Sequence, residues 1–402
     1  LPMAAVVGSA SAFFLWSLDA LTRVRFQNPW LIWLLPIGGL LVGWIYRVYG
    51  GSSAGGNNLL IDEIHQPGAG VPRRMAPLVL LGTLVTHLFG GSAGREGTAV
   101  QMGGGIAAFF ARALKLDAPS VRMLLMAGVA AGFGSVFGTP IAGAVFAMEV
   151  LVIGRVQYDA LIPCFIGSLV AHWTCTAWGI GHTHYHVAVA GGGALPDPAM
   201  FLKVVLAAVL FGWAGALFAE CSHRLSDVFK RVIPRAELRP FVGGLLVIGL
   251  FLISGTSDYL GLGILGEHAG SVTLQAMFGG AEIPVIAWMW KFIFTVVTLS
   301  SGFKGGEVTP LFFIGAALGN TLAMMMGAPV DLFAALGFVA IFAAATNTPL
   351  ASTLLGMELF GAGNGLYLAT ACIIAYRFSG HRGIYASQRL GVPKFRTSET
   401  DK

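Results

Sequence analysis

Two short segments of this chain set a carboxylate among small residues with a hydroxyl two positions on. They are Gly94-Arg95-Glu96-Gly97-Thr98 and Gly305-Gly306-Glu307-Val308-Thr309, both reading G-x-E-x-T, and each opens an apolar, helix-like run. In the first, Glu96 sits between glycines at a helix start, where its charge competes for free backbone N–H donors and the positive end of the helix dipole. The same groups would hold a small anion, so the carboxylate is a tethered substitute for one. Once protonated it is neutral and leaves, and a single side chain then links proton movement to anion movement. The ordinary alternative is a capping glutamate beside an arginine. The solvent decides between the two, because an acid at membrane depth defaults to function.

Composition identifies that solvent. Hydrophobic residues make up 56% of the chain and charged residues 11%, where a soluble domain carries roughly a quarter charged side chains. Mean hydropathy is +0.77. Glycine, at 56 of 402 residues, is about twice its average usage, which in an apolar chain implies close helix packing and binding by backbone. Leu31–Tyr46, Met75–Leu88, Phe201–Ala219, Phe241–Ser254, Ile283–Leu299 and Ala334–Ala345 are apolar stretches bounded by Gly, Pro or charge. Several fall short of the roughly 20 residues of a straight span. They predict broken or re-entrant helices, whose irregular backbone must line a cavity or be buried in protein.

The repeat extends further. Thr139-Pro140 through Met148-Glu149 resembles Thr348-Pro349 through Met357-Glu358, at an offset of 209 (149 to 358), against 211 for the first pair (96 to 307). Two motif pairs in one order predict two membrane repeats, 1–195 and 196–390, followed by a polar tail over 391–402. Transporters of inverted repeats bind substrate at the midplane, where half-helix N-termini converge.

At this point the chain resembles the CLC family of chloride channels and proton-coupled anion exchangers. The resemblance rests on Gly94–Gly97, the Thr-Pro helix ending in Glu149, Gly306-Glu307-Val308-Thr309-Pro310 and Gly383-Ile384-Tyr385-Ala386-Ser387. It implies an all-α polytopic fold of two inverted repeats with many broken or tilted helices. Glu96 is then the gating glutamate and Tyr385 the hydroxyl at the central anion. Where chloride members read G-S-G-I-P, this chain has Gly56-Asn57-Asn58-Leu59-Leu60; Thr98 replaces a proline, and Glu307-Val308-Thr309 replaces an apolar stretch. These substitutions resemble the fluoride-specific branch, whose members exchange fluoride for protons in bacteria. The anion seat implied is Asn57, Asn58, Gly97, Thr98, Val308, Thr309 and Tyr385, and the setting a homodimer in the bacterial inner membrane.

Fluoride holds its hydration shell tightly, so strong compact donors must replace lost water. The Asn57 amide, the Thr309 and Tyr385 hydroxyls and helix-terminal N–H groups are of that kind. Asn57 as a helix cap and Thr309 bonding its own backbone are the plain alternatives. Chloride/proton exchangers of the family carry two consecutive glutamates after the Thr-Pro helix, whereas Glu149 is followed by Val150. Glu96 is therefore expected to carry the proton across most of the barrier.

Other features are weaker. Lys291, alone in an apolar stretch, implies either a structural partner or a role in the pore field. His182, His184 and His186 alternate in a loop without a further ligand, so no metal or other cofactor is expected. Phe312 and Phe313 follow the second motif and would turn ring edges to an anion. The four cysteines show no disulfide or metal spacing, and the loop Lys/Arg set orientation and give no sign of nucleic acid. Two rivals stand: a chloride channel or chloride/proton exchanger on the same fold, and an intramembrane serine hydrolase suggested by Gly90-Gly91-Ser92-Ala93-Gly94, which needs an elbow or a histidine partner. No enzyme activity is expected.

Overall fold

The structure is a computed structural model that describes residues 1–68, 70–183, 185–189, 197–268, 270–279 and 283–395. Six helical stretches among them are long and apolar enough to cross a bilayer. Trp16, Ile37, Trp44, Leu206, Trp213 and Leu252 stand on outward faces where a soluble protein would carry charge, and we read the chain as spanning the membrane many times.

The first half contains α1 (Pro2–Gln27), α2 (Leu35–Ile45), α3 (Gly56–His65), α4 (Met75–Leu88), α5 (Glu96–Ala113), α6 (Ala118–Phe137), α7 (Pro140–Glu149) and α8 (Leu161–Ala177). The second contains α9 (Pro198–Val232), α10 (Leu238–Ser254), α11 (Ala287–Ser300), α12 (Val308–Met326), α13 (Val330–Thr346), α14 (Pro349–Phe360) and α15 (Gly365–Phe378). The boundary expected at 195 lies outside the described residues.

Proline places several breaks, since it lacks an N–H and is tolerated only in a first helical turn. The stretch expected over Leu31–Tyr46 is thus divided. Pro29 opens a 3-10 turn to Leu34, Pro36 lies in the first turn of α2, and a π-helical turn follows over Tyr46–Gly50. By contrast Phe201–Ala219 grows into the 35-residue α9, because Asp197 caps its start through the N–H groups of Ala199 and Met200 and its far end runs into Arg224, Lys230 and Arg231. The residues from 391 begin as packed structure rather than a free tail. Arg389–Leu390 pair in parallel with Val152–Ile153, and Lys394 Nζ reaches Asn347 Oδ1 at 2.6 Å and Ser379 Oγ at 2.9 Å. Partial burial and the nearby Arg377 push that ammonium down to about 7.

The halves are joined by matching bonds. Glycines bring α5 and α6 into backbone contact at Gly103 and Gly128, and α12 and α13 at Gly315 and Gly337, where an added Cβ would lie 2.0–2.6 Å from the facing carbonyl oxygen. Glu149, at the end of α7, accepts from the N–H groups of Leu350 and Ala351 at 3.1 and 2.8 Å, at the start of α14. Glu358, at the end of α14, accepts from Ile141 and Ala142 at 3.0 and 2.7 Å, at the start of α7. Each helix thus caps the other, satisfying N–H groups that the Thr-Pro starts leave open.

Glu149→Ala strands the buried Ala351 N–H, at about 1–3 kcal/mol, and the part-buried Leu350 N–H. It is expected to lower the thermal unfolding midpoint of the detergent-solubilised protein more than Glu149→Gln does, with proton coupling in vesicles unchanged. Lost coupling at an unchanged midpoint would instead make Glu149 a proton carrier.

Candidate functional site

The starts of α5 and α12 meet in the middle of the molecule. Gly94 N–H donates to Gly306 O at 2.6 Å and Gly306 N–H to Gly94 O at 2.8 Å, an isolated antiparallel bridge between the halves. Glycine is required at the approach: a Cβ on Gly306 would lie 2.7 Å from Gly97 N, and one on Gly94 would lie 2.9 Å from Gly306 O.

Glu96, the first residue of α5, is 1% exposed. Its carboxylate crosses to the other half and accepts from Thr309 N–H at 3.0 Å and from the Thr309 hydroxyl at 2.5 and 2.6 Å. The Arg95 N–H donates to it at 3.1 Å, and Arg95 Nε lies 3.4 Å away without meeting hydrogen-bond geometry. The carboxylate lies at the start of α12, where the helix dipole and charge-assisted bonds stabilise negative charge. Towards one face a cavity of about 20 Å³, lined among others by Arg95, Glu96, Thr309 and Phe312, adjoins one of about 270 Å³ that includes Asp19 and Thr22 of α1.

On the other side of Gly97 lie polar atoms without partners. Asn57 makes no hydrogen bond to another described residue, and its Oδ1 is sheltered from solvent. Glu307, the residue before α12, is partly buried, and its sheltered Oε2 bonds no described residue. A methyl group added at Gly97 would lie 3.1 Å from Gly306 Cα, 3.2 Å from Asn57 Nδ2 and 3.5 Å from Glu307 Oε2, so amide and carboxylate converge on that glycine beside the Gly306 backbone. Asn57 also lines a cavity of about 20 Å³ with Tyr385, Val150 and Phe146, room for about one water-sized particle. Tyr385 is 6% exposed and feels the charges of both Glu96 and Glu307. Val150 presents an apolar side chain there, so that cavity wall carries no acid at position 150.

Two expected seat residues have their side chains engaged elsewhere. The Thr98 hydroxyl is 2.7 Å from that of Thr83, in the packing of α4 against α5. Asn58 Oδ1 accepts from Ser387 N–H at 3.1 Å, tying down the segment that carries Tyr385. Val308 is buried at the start of α12. Glu307, not among the residues expected at the seat, lies beside Asn57 here, and its place in the repeat, equivalent to Glu96, is the signal in the sequence that points to it.

Lys291 has a structural partner. It is fully buried, and Nζ donates to the carbonyls of Tyr259 and Gly261 at 3.1 and 2.7 Å while lying 5.4 Å from the Phe313 ring centroid. Phe312 stacks on Phe338 at 3.8 Å and lines the cavity beside Glu96. His182 Nε2 lies 2.9 Å from Ser135 O, and His184 is outside the described residues. The described residues hold no cluster of His, Cys, Asp and Glu with the makings of a metal site. The hydrolase reading fails on geometry. Ser92 Oγ bonds the Thr295 hydroxyl at 2.9 Å, and both His87 ring nitrogens face the carbonyls of Thr83 and Ala93.

Gly97→Ala fills the slot between Asn57 and Glu307. Anion flux is expected to fall at least about tenfold, the effect of about 1.4 kcal/mol on a barrier, and because the methyl also presses on Gly306 Cα the unfolding midpoint is measured beside it. Unchanged flux in vesicles would take this slot off the pathway.

Residues 38–380 match the family described as voltage gated chloride channel. A "Chloride/fluoride channel protein" of Pseudomonas syringae pv. tomato is 48% identical over 395 residues, covering 98% of this chain and 86% of that protein. An "H(+)/Cl(-) exchange transporter ClcA" of Yersinia pestis bv. Antiqua is 29% identical over 318 residues, with 71% of this chain and 61% of that protein covered. Among solved structures, the crystal structure of a CLC-type fluoride/proton antiporter superposes with a TM-score of 0.91 at 36% identity, covering 97% of this chain and 96% of that one. The crystal structure of a slow cyanobacterial Cl-/H+ antiporter has the same fold, with a TM-score of 0.80 at 20% identity.

Proposed function

Because this chain belongs to the voltage-gated chloride channel family and has its fold of two inverted repeats, we propose that it exchanges fluoride for protons across a bacterial inner membrane. One observation carries the reading: a buried carboxylate, Glu96, sits in a seat made by the N–H and hydroxyl of Thr309, with the polar groups of Asn57 and Glu307 converging on Gly97 immediately behind it. The 48% identical chloride/fluoride channel protein and the 36% identical fluoride/proton antiporter support fluoride as the anion.

Fluoride arriving at the Asn57 slot meets an amide, the Tyr385 hydroxyl and the Glu307 carboxyl, which when protonated donates a third strong hydrogen bond. Glu96 must vacate its seat before the anion moves on. Protonation removes its charge and its preference for the α12 start, so a proton is taken up as fluoride advances and given back as the carboxylate returns. Glu307 serves as a second proton group in place of the acid that position 150 lacks. The homodimer expected of the family belongs to this proposal, and crosslinking in native membranes tests it.

The chloride exchanger is the second reading, favoured by the ClcA likeness. Purified protein in liposomes, with fluoride and chloride efflux measured side by side and internal pH recorded, separates the two. Fluoride efflux with coupled proton uptake supports the proposal, whereas chloride efflux of equal or greater rate overturns it.

A further inference from the structure

The seat and slot hold two carboxylates, and each has one basic side chain on its own side. Arg95 stands beside Glu96 and lines the cavities towards the α1 end, whereas Lys304 precedes Glu307 by three residues. Lys304 acts on Glu307 through space without ion-pair contact, and its ammonium makes no hydrogen bond to a described residue. Its position is nonetheless built. A Cβ on Gly82, midway along α4, would lie 2.9 Å from Lys304 Cβ and Cγ, so that glycine provides the groove in which the stem lies. Nζ rests 4.1 Å from the centroid of the Tyr46 ring.

Tyr46 opens the π-helical turn Tyr46–Gly50, a break of the kind frequent at functional sites, whose Val48 and Tyr49 are about half exposed. The chain then leads through Gly51–Gly55 to Asn57 near the start of α3. The start of α4 lies by this turn, with Arg74 against Gly51, and its far end lies by Arg25 near the end of α1, so Lys304 and Arg95 serve opposite faces.

We propose that Lys304 is the cation that draws fluoride into the Asn57–Glu307 slot, on the side of the slot away from Arg95. An ammonium held on an aromatic ring, without a hydrogen bond to a described residue and beside a carboxylate, keeps donors available for a small anion and offsets the charge an arriving anion meets. This rests on the proposed anion exchange. If the wild-type protein moves chloride and not fluoride, that reading falls, and the Lys304 test is run unchanged with chloride.

The test uses full-length protein in liposomes with the anion varied on one face at a time. Lys304→Met is expected to raise KM about fivefold to tenfold on the Lys304 face only, with the maximal rate within about twofold, and the difference is expected to shrink in high salt as charges are screened. Lys304→Arg is expected to restore most of the affinity. Unchanged KM on both faces, an equal rise on both, or Lys304→Arg no better than Lys304→Met would each overturn the proposal. Size-exclusion profiles and unfolding midpoints that match the wild type show that a changed KM is not misfolding; should Lys304→Met fail to fold, Lys304→Gln answers the same question.

Discussion

Glu96→Gln is expected to abolish proton movement driven by a fluoride gradient. Glutamine keeps the shape and still accepts from Thr309, but it never carries the charge that makes the carboxylate a rival of the anion. Without an ionisable group the seat is left or held by the same neutral side chain at every pH, and the link between the two ions disappears. Proton uptake into vesicles is expected to fall at least about tenfold, towards leak, which corresponds to 1.4 kcal/mol or more of lost linkage. Full coupling in this variant would sink the mechanism.

Removing the carboxyl of Glu307 should have the next largest effect. Its Oε2 is sheltered and directed to the same glycine as the Asn57 amide. A buried carboxyl oxygen that bonds no described residue can accept or, once protonated, donate to a passing ion. Glu307→Ala is expected to weaken equilibrium fluoride binding about 10-fold to 100-fold, the equivalent of one charge-assisted hydrogen bond of about 1.5–3 kcal/mol. Glu307→Gln keeps a donor and should bind within a few-fold of wild type while losing proton coupling. Titration calorimetry in detergent measures the first and vesicle pH recording the second. Undiminished binding in Glu307→Ala would mean that its carboxyl makes no contact with the anion.

The sequence made the seat partly legible. A glutamate between glycines, repeated with a threonine at equal spacing, is enough to place Glu96 and Thr309 at facing helix starts, and there they bond. Pairing of the Thr-Pro helices was visible too, but that each glutamate caps the other helix depends on contacts some 200 residues apart. Neighbouring residues on a helix point about 100° apart, so Asn57 and Asn58, alike on paper, have different fates. One lines the small cavity beside Tyr385 and the other holds Ser387. Lys291 was ambiguous for a similar reason, because its acceptors are carbonyls of an irregular loop with no pattern to announce them. Which polar atoms are left over, as at Glu307, is a property of the whole packing and of no single segment.

The two-way glycine bridge between residues 94 and 306 bears on how such a protein can work at all. A carrier that rocks one half about the other must part the halves at the centre on every cycle, and here the centre is stitched by main chain with no room for a wedge. Parting it would break both backbone bonds, so motion confined to side chains is the less costly course. A device of that kind would be fast, would admit only particles of about its own carboxylate's bulk, and would change shape so little between states that low-resolution images of them should coincide.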